Sequence, residues 1–168
     1  GGSVTFPLPG GGRLPEFGRS APSRRERFAR LDGPPEHRHG PWTPERLGED
    51  RTEERAFLFR DLLDAGVVVL NGTDAPVERV DPIASYAGAV TGITADGEVF
   101  VPDHLMTRDE GLRSYTISAA YGAHEEESRG SLTPGKLADV TVLSRDILSV
   151  PVDQIAQAIE LADPQQWN

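Results

Sequence analysis

Leu62-Leu63-Asp64-Ala65-Gly66-Val67-Val68-Val69-Leu70-Asn71-Gly72-Thr73-Asp74 is the stretch on which the fold turns. It opens as the end of a helix expected from Glu53 to Ala65, with Phe57, Leu58, Leu62 and Leu63 along one side. Gly66 stands where a helix C-terminus calls for left-handed backbone, which only glycine adopts without steric cost. Val67 to Leu70 follow at once. Four consecutive apolar residues after so short a turn predict a strand buried on both faces, as in a parallel sheet flanked by helices. The strand then opens into Asn71-Gly72-Thr73-Asp74-Ala75-Pro76-Val77-Glu78.

Downstream, one helix is expected from about Asp81 to Val90 and another from about Thr107 to Tyr121. Between them Ala95-Asp96-Gly97 reads as a turn before the extended Glu98-Val99-Phe100-Val101. Gly111 falls inside the second helix, at a cost of up to ~1 kcal/mol relative to alanine. Gly130 through Asp139 forms a turn leading into a strand, Val140-Thr141-Val142-Leu143. A last short helix starts after Pro151, with Val152, Ile155 and Ile159 on one side. Upstream, Thr43-Pro44-Glu45 reads as an N-cap with proline in the first helical turn.

The first forty residues have a different texture. They hold eight glycines and six prolines, among them Gly10-Gly11-Gly12 and Pro34-Pro35, and show no apolar periodicity. Such a segment buries too little apolar surface to offset its conformational entropy, so residues 1–40 are expected to form a disordered arm. Its arginines give it a net charge of +3, while residues 41–168 carry −13, for a total of −10. The acidic body argues against nucleic acid as a partner, because phosphate contacts need clustered Lys and Arg. No apolar run approaches the ~18 residues of a membrane span, so no membrane partner is expected. The absence of cysteine excludes disulfides and thiolate metal sites. The chain of 168 residues suits one domain. It opens on Gly1 rather than Met, has no signal-type leader and is expected to be cytoplasmic and processed or incomplete.

The order of these motifs resembles the C-terminal portion of the amidohydrolase superfamily, specifically its amidohydrolase-3 branch. The resemblance rests on Leu62 through Val67, on Gly72-Thr73-Asp74-Ala75-Pro76-Val77-Glu78, and on Gly130-Ser131-Leu132 through Asp139. Asp81-Pro82-Ile83 and Leu112-Arg113-Ser114-Tyr115-Thr116 fit as well. It covers roughly residues 41–152. What it implies is an α/β fold: a C-terminal fragment of a (β/α)8 metal-dependent hydrolase barrel with part of the adjoining small β-sandwich. Residues 41–128 would hold the last barrel strand and its helices, 129–152 the return to the sandwich, and 153–168 an atypical tail. Family members continue there into another sandwich strand, whereas residues 156–168 run polar. The family carries alanine where this chain has Gly111.

The resemblance also implies chemistry. Asp74 would be the carboxylate at the C-terminal end of the eighth barrel strand, acting both as catalytic residue and as metal ligand. It would bind a divalent metal, zinc by family resemblance, and relay a proton from an activated water to the leaving nitrogen of a small amide-type substrate. Read without the family, Asp74 is equally a turn-capping aspartate. Gly72 would let the backbone turn closely beneath the site, and Pro76 would stiffen the exit.

The family's other metal ligands lie far upstream of this position. His37-Arg38-His39 follows Pro34-Pro35 directly, only 35 residues before Asp74, and is read as solvated loop rather than as a His-x-His ligand pair. His104 and His124 are read as surface residues. A lone carboxylate does not hold a catalytic zinc, so this chain by itself is expected to be inactive and to retain no catalytic metal. Faces that absent strands should cover lead to an expectation of self-association. The alternative reading is a non-catalytic interaction module with a basic arm.

Overall fold

The computed structural model describes residues 28–32, 42–73, 75–76, 79–94 and 97–162. The helix–Gly66–strand order forms as expected, but the strand runs Val68–Gly72 and only its Val69 is buried, so it is not covered on both faces by the described residues. Helix α3 (Phe59–Asp64) closes at Gly66, whose φ of 77° turns the chain. The Gly66 N–H donates to the Leu63 carbonyl and the Val67 N–H to that of Leu62, both at 2.9 Å, which satisfies the helix's last orphan carbonyls. Strand β2 (Val68–Gly72) begins one residue later.

A strand this apolar presents a full ladder of backbone donors and acceptors that must find partners. Strand β1 (Phe28–Asp32) supplies them, pairing in parallel from Phe28 with Val68 to Asp32 with Gly72. This departs from the expectation of disorder through residue 40. The composition argument weighs side-chain burial, whereas β1 is held by main-chain pairing that composition does not register. The rest of residues 1–40 lies outside the described residues.

The expected single helix ending at Ala65 is broken in two. Helices α1 (Trp42–Leu47) and α2 (Glu49–Arg55) meet at Gly48, and Ala56 to Leu58 separate α2 from α3. Thr43 and Pro44 therefore sit inside α1's first turn, and Thr43 is not its cap. Phe57 adopts a φ of 54°. A straight helix would splay residues 57 and 59 about 200° apart. The break instead lets the Phe57 ring pack edge-on against both Phe59 and Phe100, with centroids 6.0 and 5.5 Å apart.

Helix α4 (Pro82–Thr91) starts where expected. Asp81 caps it by accepting the Ala84 N–H at 2.9 Å, Pro82 occupies the first turn, and Gly92 ends it in left-handed backbone. The second expected helix is again two, α5 (Arg108–Tyr115) and α6 (Ile117–Ala123). At the junction the Thr116 hydroxyl donates back to the Leu112 carbonyl at 2.8 Å, a bond that bends helices. Gly111 is not a defect of α5. A Cβ there would lie 2.7 Å from Val90 Cγ1 and 3.0 Å from the Tyr86 ring, so its absence lets α4 and α5 approach.

Beyond α6 the chain turns through residues 126–137, held by the Lys136 amine donating to the Glu126 carbonyl and by Leu137 N–H to Ser128 O. Strand β3 (Val142–Leu143) pairs antiparallel with β4 (Glu160–Ala162), after a 3-10 turn at Val152–Gln157. Here too the structure departs from the reading of 153–168 as an atypical tail without a further strand. Ile155 is fully buried and Ala158 nearly so, in one cluster with Tyr86, Ala87 and Ile147. These two apolar residues anchor a polar-looking segment. Residues 163–168 lie outside the described residues. A second cluster joins Phe59, Val69, Ala89 and Met106 around β2. No helix of the described residues is long and apolar enough to cross a membrane.

Candidate functional site

Strand ends release the chain into loops positioned by a sheet, and the C-terminal end of β2 is the one that leads to the candidate residue Asp74 in the sequence. Val69 is buried in the apolar cluster, and Leu70 packs against Gly122 of α6, where a Cβ would come within 2.5 Å of Leu70 Cδ1. Asn71 and Gly72 complete the strand. The Asn71 Oδ1 accepts the Gly72 N–H at 2.8 Å, and this settles the amide's orientation, since a backbone N–H only donates. Asn71 Nδ2 is then enclosed without a hydrogen-bond partner among the described residues. Ser85 Oγ on α4, in a residue only 4% exposed, is likewise unpartnered there.

Asp74, the predicted catalytic carboxylate and metal ligand, lies outside the described residues, as do Val77, Glu78 and the pair His37 and His39. Gly72 is in strand geometry and a Cβ on it would meet nothing within 4 Å, so the expected close turn does not depend on it. The Ala75–Pro76 peptide is cis. Among the described residues no three His, Asp or Glu side chains converge closely enough to hold a metal ion.

What the described residues do is brace β2. Arg60 of α3 forms a two-pronged ion pair with Glu110 of α5, Nη1 to Oε2 and Nη2 to Oε1 at 2.8 Å each, while its Nε reaches Asp64 Oδ1 at 2.9 Å. Glu110 Oε2 also accepts the backbone N–H and the hydroxyl of Thr107 at 2.8 Å, closing the capping box of α5. The Arg60 hydrogen bond, aided by those from Thr107 and opposed by partial burial, lowers the Glu110 carboxyl from 4.5 to about 2. The same fork raises the Arg60 guanidinium further above its ordinary value. Thr107 coincides with the expected start of this helix, but its pairing with Glu110 is seen only in the structure. So is that of Arg60, whose partner is fifty positions away.

His104 corrects its reading as a surface residue. Its side chain is only 15% exposed, its Nε2–H donates to the Glu53 carbonyl at 2.8 Å, and Nδ1 lies 3.5 Å from Asp61 Oδ2. The imidazole thus fastens the Pro102–His104 turn to α2 and α3. His124 is exposed, at the left-handed end of α6.

Comparison with known proteins places this arrangement. The chain is 33% identical over 118 residues to YtcJ of Bacillus subtilis (strain 168), an amidohydrolase by name; the match takes in 68% of this chain and 22% of that one. It is 38% identical over 106 residues to the N-substituted formamide deformylase of Arthrobacter pascens, covering 63% of this chain and 19% of the relative. Among solved structures it is similar to an uncharacterized metal-dependent hydrolase from Pyrococcus horikoshii OT3. That match has 30% identity and a TM-score of 0.58, over 67% of this chain and 23% of that one. The chain thus spans about a fifth of the length of the curated relatives it matches. The sequence model of the amidohydrolase family matches residues 16–161, reaching further at both ends than the motifs alone, taking in β1 and reaching into β4. This chain belongs to the amidohydrolase family.

Proposed function

We propose that the chain contributes the last-strand carboxylate, and the scaffold that holds it, to a metal-dependent hydrolase acting on non-peptide C–N bonds of small molecules. The reading is supported by the parallel strand β2 ending at Gly72, with Asp74 following two residues later in the sequence. In that reading β2 is the final strand of a (β/α)8 barrel, residues 41–128 are its last barrel segment, and residues 129–152 return the chain toward a small β-sandwich.

A divalent metal, zinc in this reading, supplies Lewis-acid chemistry that brings water's acidity near neutral pH. Asp74 would offer the metal one oxygen ligand and would serve as the group that takes up a proton from water and returns it to the departing nitrogen. The described residues do not assemble the remaining ligands. A catalytic zinc takes about three protein ligands beside an open position. The chain on its own is therefore proposed to be inactive. The kinship with a formamide deformylase favours N-substituted formamides as the first substrates to try.

The test is formate release from N-benzylformamide by the zinc-supplemented chain and by Asp74→Asn. Both are expected to match zinc alone. Turnover lost in Asp74→Asn would support the hydrolytic role and overturn the incompleteness of the site. Turnover that survives the substitution would overturn the role given to Asp74.

A further inference from the structure

We propose that His104 and Asp61 form a two-ligand site for a borderline divalent cation such as zinc. The site uses neither Asp74 nor any residue of β2, and it is independent of the role given to that carboxylate.

Three features of the His104 ring carry it. First, its Nε2 lies 2.8 Å from the Glu53 carbonyl, and since a carbonyl only accepts, that nitrogen bears a hydrogen. In the neutral ring the lone pair then falls on Nδ1. Metal-binding histidines are held in this way: the nitrogen turned from the metal donates to a carbonyl or carboxylate, which fixes both the tautomer and the ring's orientation. Second, Nδ1 is enclosed and makes no hydrogen bond among the described residues, in a side chain only 15% exposed. Third, the group that faces Nδ1 is also an acceptor, Asp61 Oδ2 of α3, 3.5 Å away. Two acceptors so placed call for a cation between them. A proton shared by the pair would draw nitrogen and oxygen to about 2.7–2.9 Å. Two ligands of one tetrahedral zinc, each about 2.0–2.1 Å from the ion, stand about 3.4 Å apart. The separation found is that of the second case.

An imidazole nitrogen beside a carboxylate oxygen suits zinc, nickel or copper, whereas magnesium and calcium take oxygen ligands. Two protein ligands fall short of the three that a catalytic zinc takes, so water fills the remaining positions and the ion serves as a clip. It joins the Pro102–His104 turn to α3, elements about forty positions apart in the chain, and adds to the bond that already ties the turn to α2. An ion held by the folded chain alone stabilises that chain.

The test is a zinc chloride titration of the full chain carrying Asp74→Asn, so that nothing observed depends on that carboxylate, followed through the imidazole NMR signals. The spectrum of His104→Gln assigns His104 among the four histidines. Zinc is expected to shift the His104 signals saturably, with the hydrogen retained on Nε2, and to raise the Tm. Asp61→Asn, a same-size change at a side chain 61% exposed, is expected to keep the metal-free backbone spectrum and to weaken zinc binding at His104 at least about 10-fold. Magnesium chloride at the same concentration is expected to leave the His104 signals in place. A His104 ring that zinc does not shift overturns the site, and so does zinc that shifts His37, His39 or His124 alone. Binding that Asp61→Asn leaves unchanged overturns the pairing. An equal response to magnesium overturns ligation by the imidazole.

Discussion

Arg60 on α3 holds Glu110 on α5 with both terminal nitrogens, each 2.8 Å from a carboxylate oxygen. The pair ties the helix that feeds β2 to the N-terminus of a helix that packs against it. A planar guanidinium matches a carboxylate in this way and an ammonium does not. Removing the Glu110 charge leaves Arg60 and the Thr107 cap under-satisfied. Glu110→Gln is expected to cost about 1–3 kcal/mol, read from the urea midpoint. Arg60→Lys should lose much of the same stability.

The same contact sets a pH dependence. Glu110 titrates at about 2 when folded, against an ordinary 4.5, so the folded state favours its ionised form. Its contribution is fully present above about pH 4.5 and is lost as the pH falls toward about 2. Denaturation midpoints measured at about pH 6 and about pH 3 should differ less in Glu110→Gln than in the parent chain. Equal pH dependence in the two would contradict the role given to the pair.

Gly111 and Gly72 make opposite predictions. Gly111→Ala improves helix propensity, yet its Cβ would lie 2.7 Å from the stiff, β-branched Val90 and against the buried Tyr86 ring. Overpacking of this kind costs about 1–3 kcal/mol, and a fall in Tm is expected. Gly72→Ala meets open space in strand geometry, and its stability should stay within about 0.5 kcal/mol of the parent.

These two glycines also show what the sequence could and could not reveal. Gly66 acts locally, through a helix-ending turn that a few neighbouring residues specify, and the sequence shows it; the helix starts near Asp81 and Thr107 are legible for the same reason, while the capping bonds themselves are seen only in the structure. Gly111 looked like a weak point because its reason, the Val90 and Tyr86 side chains of α4, lies about twenty positions away. The breaks at Phe57 and Thr116 are not legible in the sequence for a related reason. Apolar spacing there continues across the bend, and only packing against Phe100 or the Leu112 carbonyl exposes it. At the candidate site, Asp74 was singled out by motif alone. The unpartnered Asn71 amide carried no signal, since such a group becomes visible only once its surroundings are placed.

The segment after Pro151 gives a further expectation. Ile155 has no exposed surface and packs in the cluster of Tyr86, Ala87, Ile147 and Ala158. Ile155→Ala should cost about 2–5 kcal/mol, as large-to-small changes in cores do. A change below about 0.5 kcal/mol, the scale of ordinary surface substitutions, would mean that residues 153–162 are dispensable to the fold.

Asp74, two residues past the end of β2 in the sequence, is proposed as a metal-binding carboxylate. Manganese(II) broadens NMR signals near its binding site even when affinity is low, which suits a single oxygen ligand. Titrating manganese into the 15N-labelled chain is expected to broaden the Gly72 and Thr73 amide signals first, with the effect abolished in Asp74→Asn. Broadening at Gly72 and Thr73 that persists in Asp74→Asn, or that never centres there, would contradict the account.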